Sequence, residues 1–264
     1  MSGPLALQEQ VAWVTGASAG IGRATVACLV ERGAVVVASA RDVAALGGLA
    51  RELGPSVHAR PVDVTDARAV ADLAADVEAE LGPIDMLVND AGTMDPVGAF
   101  AQTALIDWER GLATNLLGAV YTTRAVLPGM VERGRGAIVN VSSGAARHAV
   151  PNLSAYSVAK AGLDQLTRSI AAEVKARGVR VNGLYPGLAD TGMQARARAM
   201  SVAVAGEVLH EAVHAYEARG LLRSPVRAAW AICWLVGPWS GGRTGEVVDL
   251  EAAGMWERVR RDLG

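Results

Sequence analysis

The sequence predicts a single α/β domain built on a doubly wound, seven-stranded parallel sheet, and three observations predict it. Short apolar runs alternate with helical stretches of about 10 to 20 residues along the chain. Glycines at positions 16, 20 and 22 lie directly behind the first of those runs, where a strand turns into a helix. The 264 residues, 51% of them apolar, suffice for one large core, and no repeat, low-complexity tract or linker divides them.

Val11 to Thr15 reads as the first strand, and TGASAGIGRAT follows it. Glycine permits the tight turn and lets backbone N–H groups and the next helix N-terminus approach a pyrophosphate. Gly16, Ser18, Gly20, Ile21 and Gly22 are therefore the candidate cradle, at the spacing GxxxGxG. The second strand, AVVVAS around Val36, runs out at Ala40 and Arg41, with Asp42 placed to cap the following helix. VHARPV, Val57 to Val62, reads as the third strand, ended by Asp63 and Val64; Asp66 then precedes the amphipathic run ARAVADLAADVEAEL as its N-cap.

IDMLVN around Leu87 is the fourth strand and leads into NDAG, Asn89 to Gly92, and a Pro- and Gly-containing loop. From Asp107 to Met130 the chain reads as one long helix carrying Asn115, a residue of poor helix propensity. Gly136 to Ser142, Val179 to Tyr185 and Glu246 to Leu250 complete the strands. PGLADT, with Pro186, Gly187 and Thr191, turns out of the sixth strand, and Gly192 to Gly220 is a mostly helical insert.

Between the fifth and sixth strands lies SSGAARHAVPNLSAYSVAKAGL, which places Ser143, Tyr156 and Lys160 in one run. On a helix beginning near Ser154, Tyr156 and Lys160 share a face. A nearby ammonium favours phenolate, so Lys160 is expected to lower the Tyr156 pKa toward neutrality, where a phenol can exchange a proton with an alcohol or carbonyl oxygen. Lys160 and Lys175 are the only lysines among 25 basic residues, so an ammonium stands where arginine is otherwise the default.

Charge and composition narrow the partners. A net charge of −2 leaves no electrostatic footprint for nucleic acid or an anionic membrane, so a small-molecule ligand is expected. The N-terminal MSGPLALQEQ shows no basic leader, and no segment is apolar for long enough to span a membrane. Cys28 and Cys233 stand far apart in sequence without metal or CxxC spacing and read as buried free thiols, with a reducing cytoplasm as the default compartment. His210 and His214 are four apart but lack a third ligand, so no metal is expected; His148 is read as a loop histidine.

TGASAGIG, NDAG, NLLG at Asn115 to Gly118, then Ser143, Tyr156 and Lys160, then PGLADT together resemble the ordered motif set of the short-chain dehydrogenase/reductase family over nearly the whole chain. The resemblance implies a Rossmann fold with sheet order 3-2-1-4-5-6-7. It also implies a catalytic group of Asn115, Ser143, Tyr156 and Lys160: Tyr156 as general acid or base, Ser143 bound to the substrate oxygen, Lys160 on the nicotinamide ribose, and Asn115 holding a water. Ser142 is left as a strand-end residue. Asp63, Val64, Asn89, Ala91 and Gly92 fall on the adenosine side, and Pro186, Gly187 and Thr191 on the nicotinamide side. Members that prefer NAD carry a carboxylate where this chain has Ala40; alanine there, with Arg41 beside it and Ser39 assisting, implies NADPH.

The implied activity is carbonyl reduction, of an apolar ketone or of a 3-oxoacyl thioester. In the second case Arg147, Arg196 and Arg198 are candidates to receive an acidic carrier protein. A non-catalytic NADP-binding regulator is the reading from another class, and the intact set of four relay positions speaks against it. The family's insert, here 192–220, is a lid over the substrate, and its long helices pair between subunits into a homotetramer or dimer. Three positions depart from the family: Asp90 makes NDAG from the commoner NNAG, Ala189 replaces a larger residue, and Glu251-Ala252-Ala253 stands for a usual Asp-Gly-Gly.

Overall fold

The computed structural model describes residues 6–264. The first five, part of the N-terminal stretch expected to carry no leader, lie outside the described residues. Seven parallel strands form one sheet: β1 (Val11–Thr15), β2 (Val35–Ser39), β3 (Val57–Ala59), β4 (Ile84–Asn89), β5 (Gly136–Val141), β6 (Val179–Tyr185) and β7 (Val247–Asp249). Their order is 3-2-1-4-5-6-7, as the resemblance implied. It reverses between β1 and β4, where such a sheet opens a crevice at the strand C-termini.

Both faces of the sheet are covered, which is why the strands read as continuous apolar runs. Ala12, Val14, Val36, Ala38 and Val88 point to the layer of α1 (Gly20–Val30), α2 (Val43–Leu53), α9 (Pro225–Val236) and α10 (Met255–Leu263). Val11, Trp13, Val37 and Leu87 point the other way, to α3 (Ala67–Leu81), α5 (Gly118–Arg133) and α6 (Ser154–Val174). Side chains along a strand alternate between faces, and the two cores sort accordingly. Asp42 and Asp66 cap α2 and α3, each accepting backbone N–H groups at 2.9–3.0 Å.

Two expectations are corrected. The regular ladder of β3 ends at Ala59, short of Val62. Arg60 and Val62 still donate to Ala38 and Ala40, so the chain runs on beside β2 and delivers Asp63 beyond the strand end. The single helix expected over Asp107 to Met130 is three pieces: α4 (Leu105–Leu112), a π turn (Ala113–Leu117) and α5. Cys28 and Cys233 are buried and free, as expected; far apart in sequence, they become neighbours where α1 packs on α9, and the two thiols hydrogen-bond.

The insert forms α7 (Gly192–Ala199) and α8 (Val202–Ala218), the latter broken at Gly206 by a φ of 73°. Its two ends are tied by main chain: Asp190 N–H donates to Arg223 O and Arg223 N–H to Leu188 O, both at 2.8 Å.

Candidate active site

The C-terminal end of β5 and the start of α6 bring Ser143, Tyr156 and Lys160 together. Ser143 caps a short turn, Gly144–Ala146, its Oγ accepting the Ala145 N–H at 3.2 Å, and it hydrogen-bonds the Tyr156 phenol. Lys160 is buried on α6 and donates from Nζ to the Val141 carbonyl at 2.7 Å, with Nζ 5.7 Å from the Tyr156 ring centroid. Asn115 lies in the π turn, 1% exposed. Its Nδ2 donates to Thr93 O and Gly111 O at 2.8 Å, and its Oδ1 accepts the Thr93 N–H at 3.0 Å. The π turn is thereby tied to the loop behind β4, next to Gly92, where a Cβ would meet Asn115 Oδ1 at 2.9 Å. Ser142, one residue before Ser143, is buried and its hydroxyl finds no protein partner.

The electrostatics differ from the sequence expectation. Burial pushes the Tyr156 phenol above its ordinary value; Ser143's hydrogen bond pulls it down and the Asp90 carboxylate pushes it further up. Lys160 is not among the groups that lower it; its Nζ is held on Val141 O, and the charges of Asp90 and Asp164 act on it. Burial lowers Lys160 to about 8 against the pull of those carboxylates. Burial likewise raises Asp90 to about 7, opposed by Lys160 and by a hydrogen bond from the Gly22 N–H.

The glycine turn behind β1 is shaped by close approach. A Cβ on Gly16, whose φ is +69°, would lie 2.8 Å from Ala91 N. One on Gly22 would lie 2.4 Å from Gly16 O and 2.8 Å from Asp90 Oδ2. The start of α1 has no side-chain cap at Ala19 and no acidic residue in its first turn. Its N–H groups around Gly20 and Ile21, with Ser18 half-buried beside them, suit a phosphate. That fits a dinucleotide pyrophosphate. Thr15, which sequence reasoning passed over, locks the turn to NDAG by accepting the Asp90 and Ala91 N–H groups on Oγ1 at 3.2 Å. Its place directly before Gly16 was the available signal.

Asn89 ends β4. Its side chain is spent inside the fold, accepting from Thr122 at 2.6 Å and donating to Asn140 at 2.9 Å and Thr123 at 3.2 Å. Only its backbone is left for a ligand. At the far end of the crevice Ala40 is half-buried and Arg41 exposed. Ser39 does not assist them, since its hydroxyl accepts from Trp13 Nε1 at 2.9 Å. Asp63 spends Oδ1 on the Thr65 N–H and hydroxyl at 2.9 and 2.8 Å. Burial works to raise it, but those bonds and the Arg41 charge hold it below the usual carboxylate value. Val64 is buried against Gly118, where a Cβ would meet it at 2.7 Å.

On the other side of the crevice Gly187 has φ +73°, and Glu251, itself paired with Arg227 at 2.9 Å, fills the space its Cβ would need. Pro186 precedes it, and the Thr191 methyl lies 3.1 Å from a Cβ built on Gly20. Ala189 is buried in the bridge to Arg223. The insert contributes to an apolar cluster: Met94 and Leu153 meet Ala197, Ala205, Leu209 and Val213, with Tyr156 packed against them. Asn152 donates to Val204 O at 3.2 Å, docking α8 on the loop that carries Ser143.

The three arginines considered for an acidic carrier are neutralised one by one. Arg147 pairs with Asp249 at 2.7 Å, Arg196 with Asp95 at 2.6 Å, and Arg198 with Glu217 and Asp190 at 3.3 and 3.8 Å. They form no free basic patch. His148 is exposed; His210 and His214 stack with ring centroids 4.4 Å apart. Among the described residues no group of three metal-binding side chains is present, and no helix is long and apolar enough to cross a membrane. Sequence reasoning also missed Asp164, one turn beyond Lys160 on the same face of α6. It is buried and accepts from the Tyr185 hydroxyl, over whose ring Arg147 lies at 3.8 Å.

A family model for short chain dehydrogenases matches residues 10–201. The chain is 43% identical over 190 residues to cis-4-hydroxycyclohexanecarboxylate dehydrogenase of Sinomonas cyclohexanicum, covering 70% of this chain and 76% of that one. It is 37% identical over 175 residues to an NADP-dependent 3-hydroxy acid dehydrogenase of Salmonella typhi, 66% of this chain and 71% of that one. The crystal structure of an actinorhodin polyketide ketoreductase variant with NADPH superposes with a TM-score of 0.84 at 32% identity, covering 94% of this chain and 97% of that one. Sheet order, glycine turn, serine–tyrosine–lysine cluster and family match converge: the chain belongs to the short-chain dehydrogenase family of oxidoreductases.

Proposed function

We propose that this protein is an NADPH-dependent oxidoreductase that reduces a ketone to a secondary alcohol. The observation that carries this reading is the Ser143–Tyr156 hydrogen bond with Lys160 buried beside it, at the C-terminal edge of the sheet. NADPH would supply the hydride to the ketone carbon. Tyr156 gives the proton to the oxygen, and Ser143 holds that oxygen, so two donors meet the developing alkoxide. A phenol pushed above its usual pKa stays protonated at neutral pH, the form an acid needs. Lys160 and Asn115 complete the relay, Lys160 toward the nicotinamide ribose and Asn115 by holding the π turn open for a water.

Gly16, Ser18, Gly20, Ile21 and Gly22 hold the pyrophosphate. Asp63, Val64, the Asn89 backbone, Ala91 and Gly92 line the adenosine side, and Pro186, Gly187 and Thr191 the nicotinamide side. Arg41 next to the neutral Ala40 favours a 2′-phosphate. The apolar underside of the insert, which packs on Tyr156, suits a mainly apolar ketone and makes 192–220 the lid. The pairing of Arg147, Arg196 and Arg198 supports a free small-molecule substrate over a carrier-bound one. Leu105 and Ile106 on α4 and Val158 on α6 leave apolar surface, 69, 54 and 50% exposed, that a second subunit would cover in a homotetramer or dimer. Two buried free thiols accord with a cytoplasmic protein.

The test is oxidation of NADPH and of NADH by the purified protein over a panel of apolar ketones, with Tyr156→Phe alongside. NADPH turnover that falls by about 10²–10⁴-fold in the variant is the expected result. A preference for NADH would overturn the Arg41 argument.

A further inference from the structure

Glu251 stands where the family pattern has aspartate, and Ala252 and Ala253 after it replace glycines. The fold gives that departure a place. Leu250 N–H donates to Tyr185 O at 3.0 Å, so the chain leaving β7 stays paired with β6 up to the residue before Pro186. Glu251 comes next, its own N–H held on Asp249 Oδ1 at 3.0 Å. Its side chain then lies along the Gly187 turn: a Cβ on Gly187 would be 2.6 Å from Glu251 Oε1 and 3.0 Å from both its Cγ and its Cδ. Oε1 is also the atom that meets Arg227 Nη1 at 2.9 Å.

Arg227 is itself held in place. Its side chain is 17% exposed, Nη2 donates to Leu250 O at 3.4 Å, and the guanidinium lies 5.1 Å from the Trp256 ring centroid. The carboxylate is thus fixed at its root by β7 and at its tip by α9, and Gly187 rests on the span between them. Gly187 has no side chain and a φ of +73°, which lets the backbone come this close. The bonds of Leu188 and Asp190 to Arg223 secure the following residues, and Glu251 secures Gly187. We propose that Glu251, braced by Arg227, is a positioning residue of the nicotinamide half-site: it backs the Gly187 turn and sets how far Pro186, Gly187 and Thr191 stand into the crevice. This role deepens the reading of that turn as the nicotinamide side and rests on it. A ligand-facing turn is held to within about 0.5 Å only by a supporting shell of this kind, and loss of the support weakens contacts to that half of the ligand alone.

Isothermal titration of the full chain with NADP⁺ and with 2′,5′-ADP separates the two halves, because 2′,5′-ADP keeps the adenosine and lacks the nicotinamide. NAD⁺ and ADP form a parallel pair without the 2′-phosphate. Glu251→Ala removes both the filling and the ion pair; it is expected to weaken the dinucleotide by about tenfold and to leave the fragment unchanged. Glu251→Gln and Arg227→Met keep the bulk and remove one charge each. Each should weaken the dinucleotide by less than Glu251→Ala does, and the two combined by no more than the larger single effect. Should Glu251→Ala not fold, these two variants carry the same comparison. An equal loss for dinucleotide and fragment, or no loss for either, overturns the proposal, and a double variant that loses the sum of both effects overturns the part given to Arg227. A wild type that binds none of the four compounds overturns the nicotinamide reading as well, so the two failures are told apart.

Discussion

Asn115→Asp exchanges one NH₂ for an oxygen and leaves the volume of the side chain unchanged, so its effect isolates hydrogen bonding. In the folded chain Nδ2 donates to Thr93 O and to Gly111 O, both at 2.8 Å, in a residue 1% exposed. A carboxyl keeps the bond from the Thr93 N–H. It can serve at most one of the two carbonyls, and only by taking up a proton. Two donated bonds at about 1 kcal/mol each, with about 1–2 kcal/mol for buried acceptors left facing one another, put the loss near 3–4 kcal/mol at neutral pH. At roughly 2–4 °C per kcal/mol for a domain of this size, Tm falls by about 10 °C. The folded-state pKa of the new carboxyl is raised, so its stability is fully present below the unfolded value and lost as pH rises. The deficit should therefore be smaller at mildly acid pH. Urea unfolding of both proteins at two pH values measures it. A loss under about 1 kcal/mol at neutral pH would refute the claim that this amide ties the π turn to the loop behind β4.

Burial raises Asp90 from 3.8 to about 7, so the native chain holds the extra proton in that window and the wild type should lose stability relative to Asp90→Asn as pH rises through it. Burial lowers Lys160 from 10.5 to about 8, so that contribution is present above 10.5 and lost as pH falls through 8. Thermal melts against pH should show the wild type losing ground to Asp90→Asn as pH rises from 3.8 to about 7. Cys28 and Cys233, 3 and 0% exposed, should both resist an aromatic disulfide reagent in the native protein and react only on unfolding; prompt native labelling would contradict the packing of α1 on α9. Gly206→Ala puts a Cβ 2.7 Å from Asn152 Nδ2 at a φ of +73°, costing about 1–2 kcal/mol locally. It should raise KM for the ketone more than it lowers kcat, and equal effects on both would argue against a docking role.

The strands were legible because each is buried on both faces, so its apolar run stands out whatever surrounds it. Tyr156 and Lys160 were legible because a spacing of four has only one meaning on a helix, and α6 begins at Ser154 as expected. Asp42 and Asp66 announced their helices for the same local reason. What depends on two distant segments was hidden. No local pattern says that Asp90 meets Gly22, that Cys28 meets Cys233, or that Asn89 is consumed by Thr122 and Asn140. The sign of the Tyr156 shift was hidden as well, since spacing reveals a neighbouring charge but not the depth at which both groups are set.

The two main-chain bonds that join Leu188, Asp190 and Arg223 make the insert a closed excursion that leaves and re-enters the body at one point. Lengthening or reshaping such an excursion costs little, because its ends are already held and closure entropy grows only slowly with length. The strands of the sheet all lie outside it. Residues 192–220 therefore constitute an exchangeable cassette, and transplanting the corresponding segment of another family member between Asp190 and Arg223 should transfer its substrate range to this scaffold.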